Sequence, residues 1–135
     1  PETQVVLPLL ETDIMDIIEA VWEEKLDTLD IKWSDKSCAC VVMASGGYPE
    51  KYETGKVING LDENGQCEGA FVYHAGTKLE DGKFLTAGGR VLGITAYGDT
   101  LQEALDTAYK AVDTISFEKA HYRHDIGKKA LSALK

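Results

Sequence analysis

Three short segments of this chain combine glycine with groups able to hold a polar or anionic ligand. Ser45-Gly46-Gly47-Tyr48-Pro49 directly follows an apolar run, and paired glycines let backbone amides approach a ligand or take positive φ. A tight turn is the other reading of that pair. His74-Ala75-Gly76-Thr77 sets an imidazole and a hydroxyl around a glycine. The set can converge on a polar ligand, or its histidine can bond to backbone within a sheet. Thr86-Ala87-Gly88-Gly89-Arg90-Val91 places a guanidinium straight after a flexible pair. Amides and side chain could there cradle an anion together; a surface arginine after a β-turn is the alternative.

Other residues with chemistry to offer are less convergent. His121-x-x-His124 has the spacing of two metal ligands on one helical turn, but no third ligand is evident in the sequence. Arg123 and Asp125 read as a structural ion pair anchoring a final helix. Cys38-x-Cys40 on a strand would turn both thiols to one face, as a metal site or as small core positions; with Cys67 they form neither an even disulfide set nor a CxxC pair. We read all three as reduced core residues. No GxGxxG, P-loop, HExxH or GxSxG motif occurs, so the chain shows no complete catalytic constellation.

Charge narrows the ligand classes. The formal net charge is -9 over 135 residues, which argues against a nucleic-acid partner, since phosphate backbones need a basic face. Residues 1–67 hold 14 acids against 5 lysines, whereas residues 68–135 hold 9 charges of each sign. Arg90 and Arg123, the two arginines, both fall in that second half, where an anionic ligand would bind. No apolar run reaches the roughly 18 to 20 residues of a membrane span, and the start lacks the pattern of a signal peptide. The expected compartment is the cytoplasm. A first residue of Pro1 rather than methionine suggests a fragment or a processed chain.

The elements that must position these groups follow from periodicity. Ile14, Ile17, Ile18, Val21 and Trp22 recur at helical spacing behind Thr12 or Asp13 as cap, predicting a helix whose stripe faces the core. The run from Ser37 to Ser45 is apolar on both alternating faces, as in a strand covered on both sides. Further strands are expected at Ala70–Ala75, Lys83–Thr86 and Val91–Ala96, with a hairpin turn at Asp81-Gly82 and another turn at Asp62–Gly65. Thr100-Leu101-Gln102-Glu103 is a capping box opening a helix to about Ile115. Asp125 would cap a short final helix with Ile126, Ala130 and Leu134 on one face. The acidic stretch from Glu23 to Asp35 separates the first helix from the strands and is read as a joint between two units. From the residues alone, the chain is an α+β module with a pair of candidate anion-binding loops.

Read together, PETQVVLPLL, VVMASGGYPEKYETG, VYHAGTK, LTAGGRVLGITA and YRHDIG resemble, in order and spacing over nearly the whole chain, the carboxy-terminal end of the phosphoribosylamine–glycine ligase family, also called glycinamide ribonucleotide synthetases. The resemblance implies an ATP-grasp enzyme of de novo purine synthesis. In that family ATP phosphorylates the carboxylate of glycine, and the amine of phosphoribosylamine attacks the glycyl phosphate to give glycinamide ribonucleotide, ADP and phosphate. Magnesium or manganese would assist by neutralising phosphate charge. The family's metal-binding glutamate and asparagine would precede Pro1, together with the amino-terminal domain and the nucleotide-clasping lobes.

By the same resemblance, residues 1–36 would form the end of an ATP-grasp core with one long helix. Residues 37–135 would form a small barrel-sandwich-like β domain with flanking helices. Glu2 and Gln4 would lie at the substrate end of the site. Gly46, Gly47, Tyr48, His74, Gly76, Thr77, Gly88, Gly89 and Arg90 would face the active cleft, with Arg90 on the ribose phosphate. ATP, metal, glycine and phosphoribosylamine are expected for the parent enzyme; the stretch alone is expected to be inactive and to carry no cofactor. The rival expectation is an independent small-ligand-binding or scaffold module with a ligase-like fold and no catalytic role.

Overall fold

The computed structural model describes residues 1–133. Three antiparallel strands make the main sheet: β1 (Ser37–Ala44), β2 (Phe71–His74) and β5 (Arg90–Gly98), with β5 in the middle. A separate hairpin pairs β3 (Thr77–Glu80) with β4 (Lys83–Thr86). Its turn residues Asp81 and Gly82 both have positive φ, 49° and 71°, the backbone that matches strand twist across a two-residue hairpin turn. The partner strand β3 was not among the expected elements, because its exposed residues carry no apolar alternation.

The apolar runs of β1 and β5 form strands because both of their faces are covered. Ala39, Val41 and Met43 pair across from Ala96, Ile94 and Leu92 and share one face. Against that face packs α3 (Leu101–Val112), through Ala104, Leu105, Ala108 and Val112. The expected capping box is present: Thr100 Oγ1 accepts from the Glu103 amide at 3.2 Å, and the Glu103 carboxylate accepts from the Thr100 amide at 3.3 Å. Val41, Val91 and Ile94 are wholly buried here, each worth roughly 1.5 to 3 kcal/mol of transfer free energy.

Cys38, Cys40 and Val42 alternate onto the opposite face with Tyr97, Thr95 and Gly93. The short helix α1 (Thr3–Val6) and the turn Leu7–Leu9 lie across it. Thr95 Oγ1 donates to the Gln4 carbonyl at 3.2 Å, and the Tyr97 hydroxyl donates to the Pro8 carbonyl at 3.3 Å. On the open edge of β2 the Gln66 side chain replaces a neighbouring strand, donating to the Val72 carbonyl at 3.0 Å and accepting its amide at 2.9 Å.

The helix α2 (Ile14–Trp22) forms as expected, with Asp13 Oδ1 accepting from the Met15 amide at 2.8 Å. Its stripe does not face a core within this chain. Ile14, Ile18, Val21 and Trp22 are all exposed, Trp22 by 87%. Helical spacing reveals an apolar face, but not whether its partner belongs to the same stretch of chain. At the other end, α4 (Lys128–Ala133) follows Gly127. The Asp125 carboxylate does not cap it but is taken by Arg123. Leu134, the third member of the expected face, lies outside the described residues.

Candidate functional site

The three glycine-containing segments meet at one end of the main sheet. Ser45, at the end of β1, ties the first to the third: its amide donates to the Gly89 carbonyl at 2.8 Å and its hydroxyl to the Gly88 carbonyl at 2.8 Å. The second joins them through Gly76, whose amide donates to the Arg90 carbonyl at 2.9 Å and whose carbonyl accepts from Ala87 at 2.7 Å. Gly76 and Gly88 lie backbone against backbone.

Two of the glycines serve this packing directly. At Gly89 an added Cβ would stand 2.2 Å from Tyr48 Cδ2, so a glycine is what lets the tyrosine ring lie over the loop. Gly47 has φ of 96°, and a Cβ there would meet the Lys51 carbonyl oxygen at 2.1 Å. It shapes the turn, while Gly46 lines a different surface depression beside Lys51 and Lys119.

Two adjoining open cavities lie on the Cys40–Val42 face of the sheet, of about 280 Å³ and about 400 Å³. Val42, Tyr48 and Arg90 line both. Arg90 reaches this face through a bulge. Met43 pairs with Leu92, but the next residue, Ala44, pairs with Arg90, so Val91 is left over and turns into the core. The extra residue moves Arg90 from the α3 side to the cavity side, because a one-residue shift exchanges the faces of a strand. Among the described residues no carboxylate lies within ion-pair distance of Arg90.

The larger cavity gathers Gln4, Tyr48, His74, Gly89 and Arg90 of the expected residues. Both ring nitrogens of His74 are engaged within the protein: Nδ1 lies 2.9 Å from Thr77 Oγ1 and Nε2 lies 2.8 Å from the Gly65 carbonyl. The carbonyl can only accept, so Nε2 donates to it, while Nδ1 and the Thr77 hydroxyl share the other bond. His74 and Thr77 thus hold the 62–66 turn against the hairpin. Glu2 is exposed and lines neither cavity.

The smaller cavity contains residues not singled out as ligand-facing: Cys40, His121, Tyr122, Arg123 and Ile126. The alternation of Cys38, Cys40 and Val42 in β1 was the available signal for this face, but the 121–126 segment offers no period to read. That segment is pinned at several points. His121 exchanges main-chain bonds with Ala44 at 2.8 and 3.0 Å. The Tyr109 hydroxyl, from α3, donates to the Arg123 carbonyl at 2.7 Å and accepts from the Ile126 amide at 3.2 Å. Arg123 forks onto Asp125 at 2.8 and 2.9 Å, and this hydrogen-bonded partner raises the guanidinium pKa and lowers that of the carboxyl.

His121 and His124 line different cavities, and among the described residues no three His, Cys, Asp or Glu side chains gather as metal ligands. Burial, the largest cause, raises the thiol pKa of Cys40 and of Cys38, which keeps both protonated at neutral pH. No helix is long and apolar enough to cross a membrane among the described residues.

Residues 38–129 match the family described as Phosphoribosylglycinamide synthetase, C domain. The chain is 53% identical over 126 residues to the phosphoribosylamine–glycine ligase of Caldanaerobacter subterraneus, an alignment that takes in 93% of this chain and 30% of that protein. It is 50% identical over 135 residues to the bifunctional purine biosynthetic protein purD of Dictyostelium discoideum, covering 99% of this chain and 17% of that one. The crystal structure of phosphoribosylamine–glycine ligase from Thermotoga maritima superposes with a TM-score of 0.71 at 32% identity, over 93% of this chain and 30% of that one. The chain therefore spans less than a third of the length of these relatives. With more than half of its residues inside the family match, it belongs to the phosphoribosylglycinamide synthetase family, whose C domain it carries.

Proposed function

We propose that this chain forms the substrate-side wall of an ATP-dependent ligase that joins glycine to 5-phosphoribosylamine through glycyl phosphate in de novo purine synthesis. Arg90 is the residue that receives the ribose phosphate. One observation carries this reading: the bulge in β5 delivers to the junction of two open cavities an arginine that has no carboxylate partner among the described residues. An unpaired guanidinium in a cleft is matched to phosphate. Tyr48 and Gln4 line the cavity around it. Gly46, Gly47, Gly76, Gly88 and Gly89, with the His74–Thr77 pair, frame the loops. Closing such a wall over the reaction would exclude water from glycyl phosphate, a hydrolysable intermediate.

The rest of the site belongs to the remainder of the polypeptide. Among the described residues no three His, Cys, Asp or Glu side chains converge, so this chain offers no all-protein metal cage. ATP, glycine activation and the metal are assigned to upstream lobes in a cytoplasmic enzyme, with residues 1–36 as the edge of their ATP-grasp core. The exposed apolar face of α2 supports that division, because an amphipathic helix buries its stripe against another element. Residues 37–135 would then form the barrel-sandwich-like unit, with residues 3–9 laid across its sheet.

Arg90→Ala in the full-length polypeptide tests the reading. The KM for phosphoribosylamine is expected to rise by about tenfold to a hundredfold, the equivalent of one charged hydrogen-bond partner, with a smaller change for ATP. Unchanged values for both substrates would remove Arg90 from the phosphate role.

A further inference from the structure

The chain has two arginines, one in a β-bulge and one in the 121–126 segment, and both line the same cavity of about 280 Å³. In a chain of net charge -9, this is a local concentration of positive charge. We propose that Arg123 is a second anion-binding residue, forming with Arg90 a two-guanidinium clamp for a phosphate monoester. The inference rests on the reading of Arg90 above and extends it to a residue on a different segment.

Arg123 is placed for this by the protein around it. Its carbonyl is held by the Tyr109 hydroxyl at 2.7 Å, and the segment before it is tied to β1 by the His121–Ala44 pair. A guanidinium carries five N–H donors, and Asp125 engages it only through Nε and Nη2. Among the described residues no partner takes the remaining donors, which leaves them to a ligand. The Asp125 pair is exposed on both sides, 72% for the arginine and 56% for the aspartate, so a dianion can compete for the fork at little penalty. A carboxylate is satisfied by one such fork, whereas a phosphate monoester carries nearly two charges and three terminal oxygens. Two arginines lining one cavity fit the phosphate better. His121 adds a further polar group to the same lining.

The test is binding of ribose 5-phosphate to the full-length polypeptide, measured by calorimetry for the parent and for Arg90→Ala, Arg123→Ala and Asp125→Asn. The clamp predicts about tenfold weaker binding for each arginine variant. It also predicts tighter binding for Asp125→Asn, which removes the carboxylate competing for the fork. A purely structural Arg123–Asp125 pair predicts that Arg123→Ala and Asp125→Asn weaken binding alike, and that result overturns the clamp. Should Arg123→Ala fail to fold, the direction of the Asp125→Asn change decides alone. If only Arg90→Ala weakens binding, the clamp fails while the role of Arg90 stands; if neither arginine variant does, both fail. Inorganic phosphate run in parallel identifies the source: weaker binding than ribose 5-phosphate assigns the clamp to a sugar phosphate, and equal binding assigns it to the free anion.

Discussion

Arg90 and Tyr48 owe their places to neighbours that have no chemistry themselves. A Cβ at Gly89 would fall 2.2 Å from the Tyr48 ring, so Gly89→Ala should push that ring out of both cavities and cost about 1 to 3 kcal/mol of stability. Urea unfolding checks this, and Tyr48→Ala in the same chain should recover most of the loss, since the two sites are in contact. Additive losses would show that the ring is not what Gly89 accommodates. The thiols of Cys38, half-buried, and Cys40, buried, give a pH signature. Their folded pKa values are raised, so their contribution to stability is whole below the ordinary thiol value of about 8.5 and is lost as pH rises through the raised values. The urea midpoint should fall through that alkaline range, and Cys40→Ala should flatten the fall. At neutral pH Cys40 should resist alkylation until the chain is unfolded.

At the scale of elements, local signals written in side chains were legible and those written in register were not. The capping box at Thr100 and Glu103, the cap at Asp13 and the turn at Asp81-Gly82 stand where the residues predict. Thr100→Ala should therefore cost about 1 kcal/mol in thermal or urea unfolding, and no loss would mean that α3 is fixed by its packed face alone. The bulge opposite Ala44 has no such marker. Arg90-Val91-Leu92 reads as ordinary strand, and only pairing with β1 reveals which residue is left over. Likewise Arg123 looked like the partner of Asp125 and nothing more, because the contact between its loop and β1 spans most of the chain. The glycine loops were recognisable as a set, but their division into a frame around Tyr48 and a turn beside Lys51 needed the close approaches.

For the whole molecule, the informative mismatch is α2. Its spacing predicts a buried face, yet Val21 is 56% exposed and Trp22 more so. If the face belongs to an interface with the rest of the ligase, Val21→Asp should change the stability of this chain by no more than about 0.5 kcal/mol. The same substitution should cost roughly 2 kcal/mol or more in the full-length polypeptide, where the charge would be buried. Equal effects in both would leave α2 as a surface helix and remove the argument that residues 1–36 are the edge of a larger core. The central claim concerns the cavity face instead, and it is tested most directly by a crystal structure of the full-length polypeptide with ribose 5-phosphate bound. The account predicts phosphate oxygens about 2.7 to 2.9 Å from the Arg90 guanidinium, the length of a charge-assisted hydrogen bond. A phosphate held by other lobes, with Arg90 still facing open solvent, would contradict it.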